Sequence, residues 1–225
     1  MLYCEEKGDG FPLILLHGNG EDHTYFKDQI RFFSEKYRVI AIDTRGHGQS
    51  PRGDGEFSLS RFADDLYAFM IERKIEKAHL LGFSDGGNIA LLFALAHPER
   101  VCKLILNGAN LDPSGLKEST RLTIEVGYFF ARLFEKKSDK AKQKAEMLGL
   151  MVNEPHISVS ELKKLRTPVL VIAGTKDMIK EKHTRLIADS IEDSCLIFEE
   201  GDHFIASKRP EAFNSDVESF LEGEN

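Results

Sequence analysis

The stretch "HLLGFSDGGNIALLFALAHPE", residues 79–99, decides how the chain is read. An apolar run of strand length ends at Phe83, glycines stand at 82, 86 and 87, and a long apolar helical pattern follows. Ser84 sits at the joint. A serine in front of a helix is often an N-cap, accepting a hydrogen bond from the first turn. It is also the residue that a strained strand-to-helix turn projects as a nucleophile when the pattern is Gly-x-Ser-x-Gly. Gly82-Phe83-Ser84-Asp85-Gly86 has that pattern, and its flanking glycines let strand and helix backbones pass without Cβ clashes. The two readings separate on what the rest of the chain supplies.

Outward from this stretch, short apolar runs alternate with longer helical patterns. "PLILLHG" (12–18), "YRVIAID" (37–43), "CKLILNG" (102–108), "PVLVIAG" (168–174) and "SCLIFEEG" (194–201) resemble "AHLLGF" (78–83) in length and apolarity. Such runs suit strands buried on both faces. Helical periodicity appears around 24–35, 58–73, 85–97, 180–190 and 210–222. The alternation predicts an α/β fold with a mainly parallel sheet and helices on both faces.

One segment breaks the rhythm. Residues 112–159 hold no strand candidate, only two helical patterns, the first of them, "RLTIEVGYFFARLFEKK", apolar and aromatic on one side. It reads as a small helical cap inserted between core segments 1–111 and 160–225. A plain long crossover containing two helices is the alternative.

A serine hydroxyl is a poor nucleophile at neutral pH and needs a base, itself oriented by an acid. "VLVIAGTKD" places Asp177 just past one strand, and "CLIFEEGDHF" places His203 just past the next. A parallel sheet gathers such strand ends on one edge, and the order Ser84, Asp177, His203 suits a Gly-x-Ser-x-Gly turn. Singly, Asp177 could be a helix-start acid and His203 a surface imidazole. Three strand-end placements in that order favour a triad. "HGNG" (17–20) follows the first strong strand, so the main-chain N–H groups of Asn19 and Asp85 form an expected oxyanion hole. Each such donor is worth about 10²–10³ in rate. His17 is read as a brace for that loop.

These pieces resemble the α/β-hydrolase superfamily over nearly the whole chain: "LLHGNGEDHTYF", "VIAIDTRGHGQS", "LLGFSDGGNIALLFALAHPERVCKLILNGAN", "TPVLVIAGTKDMI" and "GDHF". "GFSDGG" followed by "NGAN" is similar to the biphenyl-hydrolase-like and valacyclovir-hydrolase-like esterases. The resemblance implies an α/β-hydrolase fold with Ser84 as nucleophile, His203 as base, Asp177 as its acid, and Asn19 and Asp85 amides at the oxyanion. The family's "DxRGxGxS" loop, here residues 43–50, is read as structural. Only "LYCEEKGDG" precedes the strand before "HG", so a sheet of about seven strands without the family's first edge strand is expected.

The expected function is hydrolysis of a small carboxylic ester, or a related acyl compound, through an acyl-enzyme. A lyase or C–C bond hydrolase on the same triad, or a ligand-binding or signalling homologue, are the alternatives. A dehalogenase is disfavoured because position 84 is serine, not a carboxylate. Of 16 phenylalanines, Phe129, Phe130, Phe134 and Phe204 are expected at the substrate pocket, the first three on the cap helix roofing it. Asp85 starts a helix, where its carboxylate either complements the dipole or recognises a cationic group of the substrate.

Bulk composition narrows the field. A net charge of −7 disfavours nucleic acid as a partner. Cys4, Cys102 and Cys195 make no disulfide or zinc pattern, and the latter two are expected as buried thiols. No metal set and no cofactor fingerprint is visible. No apolar run approaches the ~20 residues that span a bilayer, and the N-terminal residues lack a basic-then-apolar leader, so a cytoplasmic protein is expected.

Overall fold

The computed structural model describes residues 1–223. Its strands are β1 (Cys4–Lys7), β2 (Phe11–Leu16), β3 (Tyr37–Ile42), β4 (Ala78–Phe83), β5 (Val101–Asn107), β6 (Val169–Gly174) and β7 (Ser194–Glu199). They form one seven-stranded sheet in the order β1-β3-β2-β4-β5-β6-β7, antiparallel only where β1 meets β3. The seven strands match the expected number, and β1 itself forms the edge.

The helices are α1 (Lys27–Phe33), α2 (Leu59–Glu72), α3 (Asp85–Ala96), α4 (Glu118–Phe134), α5 (Asp139–Asn153), α6 (Val159–Leu162), α7 (Glu181–Asp189), α8 (Ile205–Lys208) and α9 (Pro210–Glu222). The period of two in each strand builds two cores. Leu13 and Leu15 of β2 join Phe33 of α1 and Phe213, Val217 and Phe220 of α9 on one face. Ile14 and Leu16 join Leu59 and Phe62 of α2, Phe93 of α3 and Ile187 of α7 on the other. Burying such a side chain contributes roughly 1.5–3 kcal/mol, so each face of the sheet needs its helical cover. Ser58 caps α2 by accepting from the Arg61 amide, and Asp22 caps the short turn leading into α1.

The loop after β3 is tied down as expected. Asp43 Oδ1 accepts from the His23 amide at 2.7 Å and from His23 Nδ1 at 2.8 Å, while Oδ2 accepts from the Gln49 amide at 2.7 Å. Arg45 reaches Asp65 of α2 at 2.7 Å.

Helices α4 and α5 fill the stretch between β5 and β6 and lean on one another. Helix α5 is joined to the core: Gln143 donates to the Gly46 carbonyl, Arg52 pairs with Glu146, and Asn19 Nδ2 reaches the Met147 carbonyl at 2.8 Å. Helix α4 is tied down at its first turn, where Glu118 pairs with Lys180 at 2.7 Å, but none of its residues is buried. Its apolar stripe is exposed, Phe129 at 61%, Phe130 at 55% and Phe134 at 46%. The expected roofing role of that face is thereby corrected. The Tyr128 ring stands against Gly149 of α5, 3.3 Å from where a Cβ would lie, and this contact turns the stripe away from the sheet. The thiols of Cys102 and Cys195 are half-buried rather than buried.

Candidate active site

The turn between β4 and α3 holds Ser84 at φ 52° and ψ −120°, a strained backbone for a residue with a side chain. Such conformations cost of order 1–3 kcal/mol and persist only where the surroundings enforce them. Here they do. A Cβ on Gly82 would lie 2.2 Å from the Gly86 carbonyl oxygen, and one on Gly86 would lie 2.0 Å from that of Leu16. The Ser84 amide is anchored to the Asn107 carbonyl of β5 at 2.8 Å. Its hydroxyl caps nothing: no side-chain capping bond is made at the start of α3. The simple N-cap reading therefore fails.

At the C-terminal end of β6, Asp177 Oδ1 accepts from the Ile179 amide at 2.8 Å and from His203 Nδ1 at 2.7 Å. The histidine follows β7, and both side chains are buried. Binding through Nδ1 fixes the tautomer and leaves Nε2 as the basic nitrogen, which has no hydrogen-bond partner among the described residues. Gly108, just past β5 at φ 65°, presses on this pair: a Cβ there would lie 2.6 Å from His203 Cε1. The neighbouring Asp202 is engaged elsewhere. It accepts from the Phe204 amide at 3.0 Å and pairs with Lys208, whose hydrogen bond holds its pKa down.

Asn19 follows β2 on the same edge of the sheet. The loop is held by His17, whose Nδ1 donates to the Gly18 carbonyl at 2.7 Å while Nε2 accepts from the Thr44 amide at 3.0 Å. Burial pushes the His17 pKa down to about 4, so this brace is a neutral imidazole. The Asp85 amide opens α3, where an N–H has no intrahelical acceptor. Glu21, which the sequence did not single out, accepts from the Gly18 amide at 3.2 Å, and burial raises its pKa to about 7.

The Asp85 side chain is buried and accepts from Asn19 Nδ2 at 2.8 Å and, more weakly, from Asn88 Nδ2 at 3.5 Å. Asn88 in turn holds the Asn110 amide at 2.9 Å, giving a polar chain from the first loop to the end of β5. Burial raises the Asp85 pKa, and the charge of Glu154 adds to the rise. Asp85 and Glu154 share the wall of a narrow cavity with Ser84, closed by Leu116, Met151 and Met178. Among the described residues, no cationic side chain lines it. Phe129, Phe130 and Phe134 take no part in this wall. Phe204 lies instead beside His203, the two rings edge-on with centroids 5.6 Å apart.

Among the described residues, Asp22, His23 and Asp43 have ligand atoms close enough for a metal. Asp43 and His23 spend theirs on each other and on the loop after β3. No described helix is long and apolar enough to cross a membrane.

A doubly covered parallel sheet with a strained serine turn and an acid–histidine pair on one edge defines a class. Residues 12–144 match the family model for the alpha/beta hydrolase fold, and the chain belongs to that family. It is 30% identical to human serine hydrolase BPHL over 98% of this chain and 83% of that protein. It is 31% identical to the putative carbamate hydrolase RutD of Caulobacter sp. (strain K31), over 99% of this chain and 96% of that one. Among solved structures, a thermophilic esterase from Thermogutta terrifontis superposes with a TM-score of 0.80 at 26% identity, covering 98% and 93% of the two chains.

Proposed function

We propose that the chain is a serine hydrolase of small carboxylic esters that works through an acyl-enzyme on Ser84. The observation that carries this reading is the buried Asp177–His203 pair, whose free Nε2 belongs to the same sheet edge as the strained serine turn. Ser84 Oγ attacks the ester carbonyl while His203 Nε2 takes its proton. The amides of Asn19 and Asp85 receive the negative charge on the carbonyl oxygen. As the tetrahedral species collapses, His203 returns the proton to the departing alcohol. A water then attacks the acyl group with His203 as base, and the carboxylic acid leaves. The serine hydrolase and esterase names of two relatives support this chemistry.

Residues 112–159 act as the cap in this scheme, with α5 rather than α4 as the wall, since Met151 closes the Ser84 cavity. Asp85 and Glu154, two carboxylates with no cation in that wall, favour a substrate whose own cationic group lies near the scissile bond, an α-amino ester for example.

The direct test is labelling with a fluorophosphonate, followed by mapping of the adduct and turnover of p-nitrophenyl esters of rising chain length. A single adduct on Ser84, and loss of both labelling and turnover in Ser84→Ala, are expected. Ester turnover that survives in Ser84→Ala overturns the reading.

A further inference from the structure

Helix α4 leaves its whole apolar side uncovered. Leu122, Val126, Phe129, Phe130, Leu133 and Phe134 recur at helical spacing, and all are exposed. An apolar depression continues from Phe130 and Phe134 to Leu148 of α5, with Lys144 on its rim. The end of this stripe is strongly basic. Residues 128–144 hold six cationic and two acidic side chains, a net +4, within a chain of net −7. Lys136, Lys137, Lys140, Lys142 and Lys144 are exposed, and none of them is in an ion pair among the described residues. Lys137 Nζ stands 4.2 Å from the centre of the Phe134 ring, so cation and aromatic occupy one patch.

We propose that the C-terminal half of α4 and the lysine-rich start of α5 dock on an anionic lipid surface. The aromatic and leucine side chains enter the boundary between headgroups and acyl chains, and the lysines meet lipid phosphates, as in interfacial amphipathic helices. Two observations favour lipid over a second copy of the chain. Six side chains about half exposed present on the order of 600 Å², short of the ~800 Å² per partner of a standard protein interface. Among the described residues, the other end of the stripe also offers no free acid to a partner's lysines. Glu118 is held by Lys180 at 2.7 Å and by Arg121 at 2.8 Å, and Glu125 lies 3.7 Å from Arg121. A bilayer needs no such matching surface.

The test is co-sedimentation of the purified chain with phosphatidylcholine vesicles, with and without about 30% phosphatidylglycerol, at low and high salt. Wild type should sediment with the anionic vesicles and be released by salt. Val126→Ser/Leu133→Ser should weaken binding at least tenfold. Lys137→Gln/Lys140→Gln/Lys144→Gln should weaken it roughly fivefold per lysine removed. Neither variant should alter turnover of a water-soluble ester or the melting temperature. Wild type that stays in the supernatant with anionic vesicles overturns the proposal, as does binding that ignores both lipid charge and the lysines. A micromolar dimer that Val126→Ser/Leu133→Ser disperses also overturns it, with a second copy then covering the stripe.

Discussion

Asp177 and His203, 26 residues apart in sequence, meet at 2.7 Å between Oδ1 and Nδ1 in a site closed to solvent. Asp202 is the immediate neighbour of the histidine yet bonds to Lys208 and to the Phe204 amide instead. Asp177→Asn should lower kcat by about 10⁴, because an amide there stabilises the wrong imidazole tautomer. Asp202→Asn should cost only a few-fold. Steady-state rates of the two variants on one p-nitrophenyl ester decide the assignment, and the reverse ranking refutes it.

Gly108 sets the position of the same imidazole. In Gly108→Ala the new methyl lies 2.6 Å from His203 Cε1 and 2.9 Å from Nδ1 unless the ring moves, and the residue sits at φ 65°. Displacement of a catalytic group by about 1 Å costs on the order of 10²-fold. We expect kcat to fall by that factor with KM little changed. An unaltered kcat would show that the ring has room to spare.

Stability should depend on pH from both sides. Burial depresses His17 and His79 to about 4 in the folded chain, below the ~6.5 of an unfolded histidine. The unfolded chain then binds more protons, so their contribution is whole above ~6.5 and is lost as pH falls towards ~4. Glu21 does the opposite: raised to about 7, it weakens the fold as pH climbs from ~4.3 through ~7. Thermal melts across this range should show His79→Gln losing less Tm than wild type between neutral pH and pH ~5. Glu21→Gln should gain more over wild type at pH ~8 than at pH ~5. Parallel curves for all three proteins would contradict these assignments.

Asp85 separates two roles that its sequence position left open. As a helix-start acid it contributes about 0.3–1 kcal/mol through the dipole. As the receptor of a substrate ammonium it supplies about 1.5–3 kcal/mol, or roughly 10- to 150-fold in kcat/KM. An amino-acid ester should therefore beat its des-amino analogue by that margin, and Asp85→Asn should erase the difference. Equal kcat/KM values for the two esters in wild type remove the substrate role and leave Asp85 to the dipole and to its hydrogen bonds with Asn19 and Asn88.

The sequence was informative where the chemistry is local. Strand ends could be read from apolar runs that stop on glycine, and a parallel sheet puts His17–Gly18–Asn19, Ser84, Asp177 and His203 on one edge whatever else the chain does. Contacts across long separations were not legible. Glu154 comes to the Ser84 cavity at the end of α5, where it accepts from the Leu59 amide at 2.7 Å across 95 residues. Nothing near it in sequence announces that role. The α4 stripe teaches the same point in reverse. Periodicity reveals an apolar face but not what the face meets, and here the fit of Tyr128 against Gly149 turns it to solvent. Phe130 and Phe134 thus kept their predicted helix and lost their predicted pocket.

The sheet's outer boundary at β1 bears on how the chain behaves in company. A terminal strand exposes a row of unsatisfied N–H and C=O groups that can template another molecule's strand. β1 is only four residues long, and its Glu5, Glu6 and Lys7 are exposed, with Glu6 tethered sideways to Arg38 at 2.7 Å. A second copy laid along it would set glutamate against glutamate, Glu5 against Glu6 if antiparallel and each against itself if parallel. The strand is thus a poor seed for polymerisation, and those two glutamates act as gatekeepers whose loss would show first in concentrated solution.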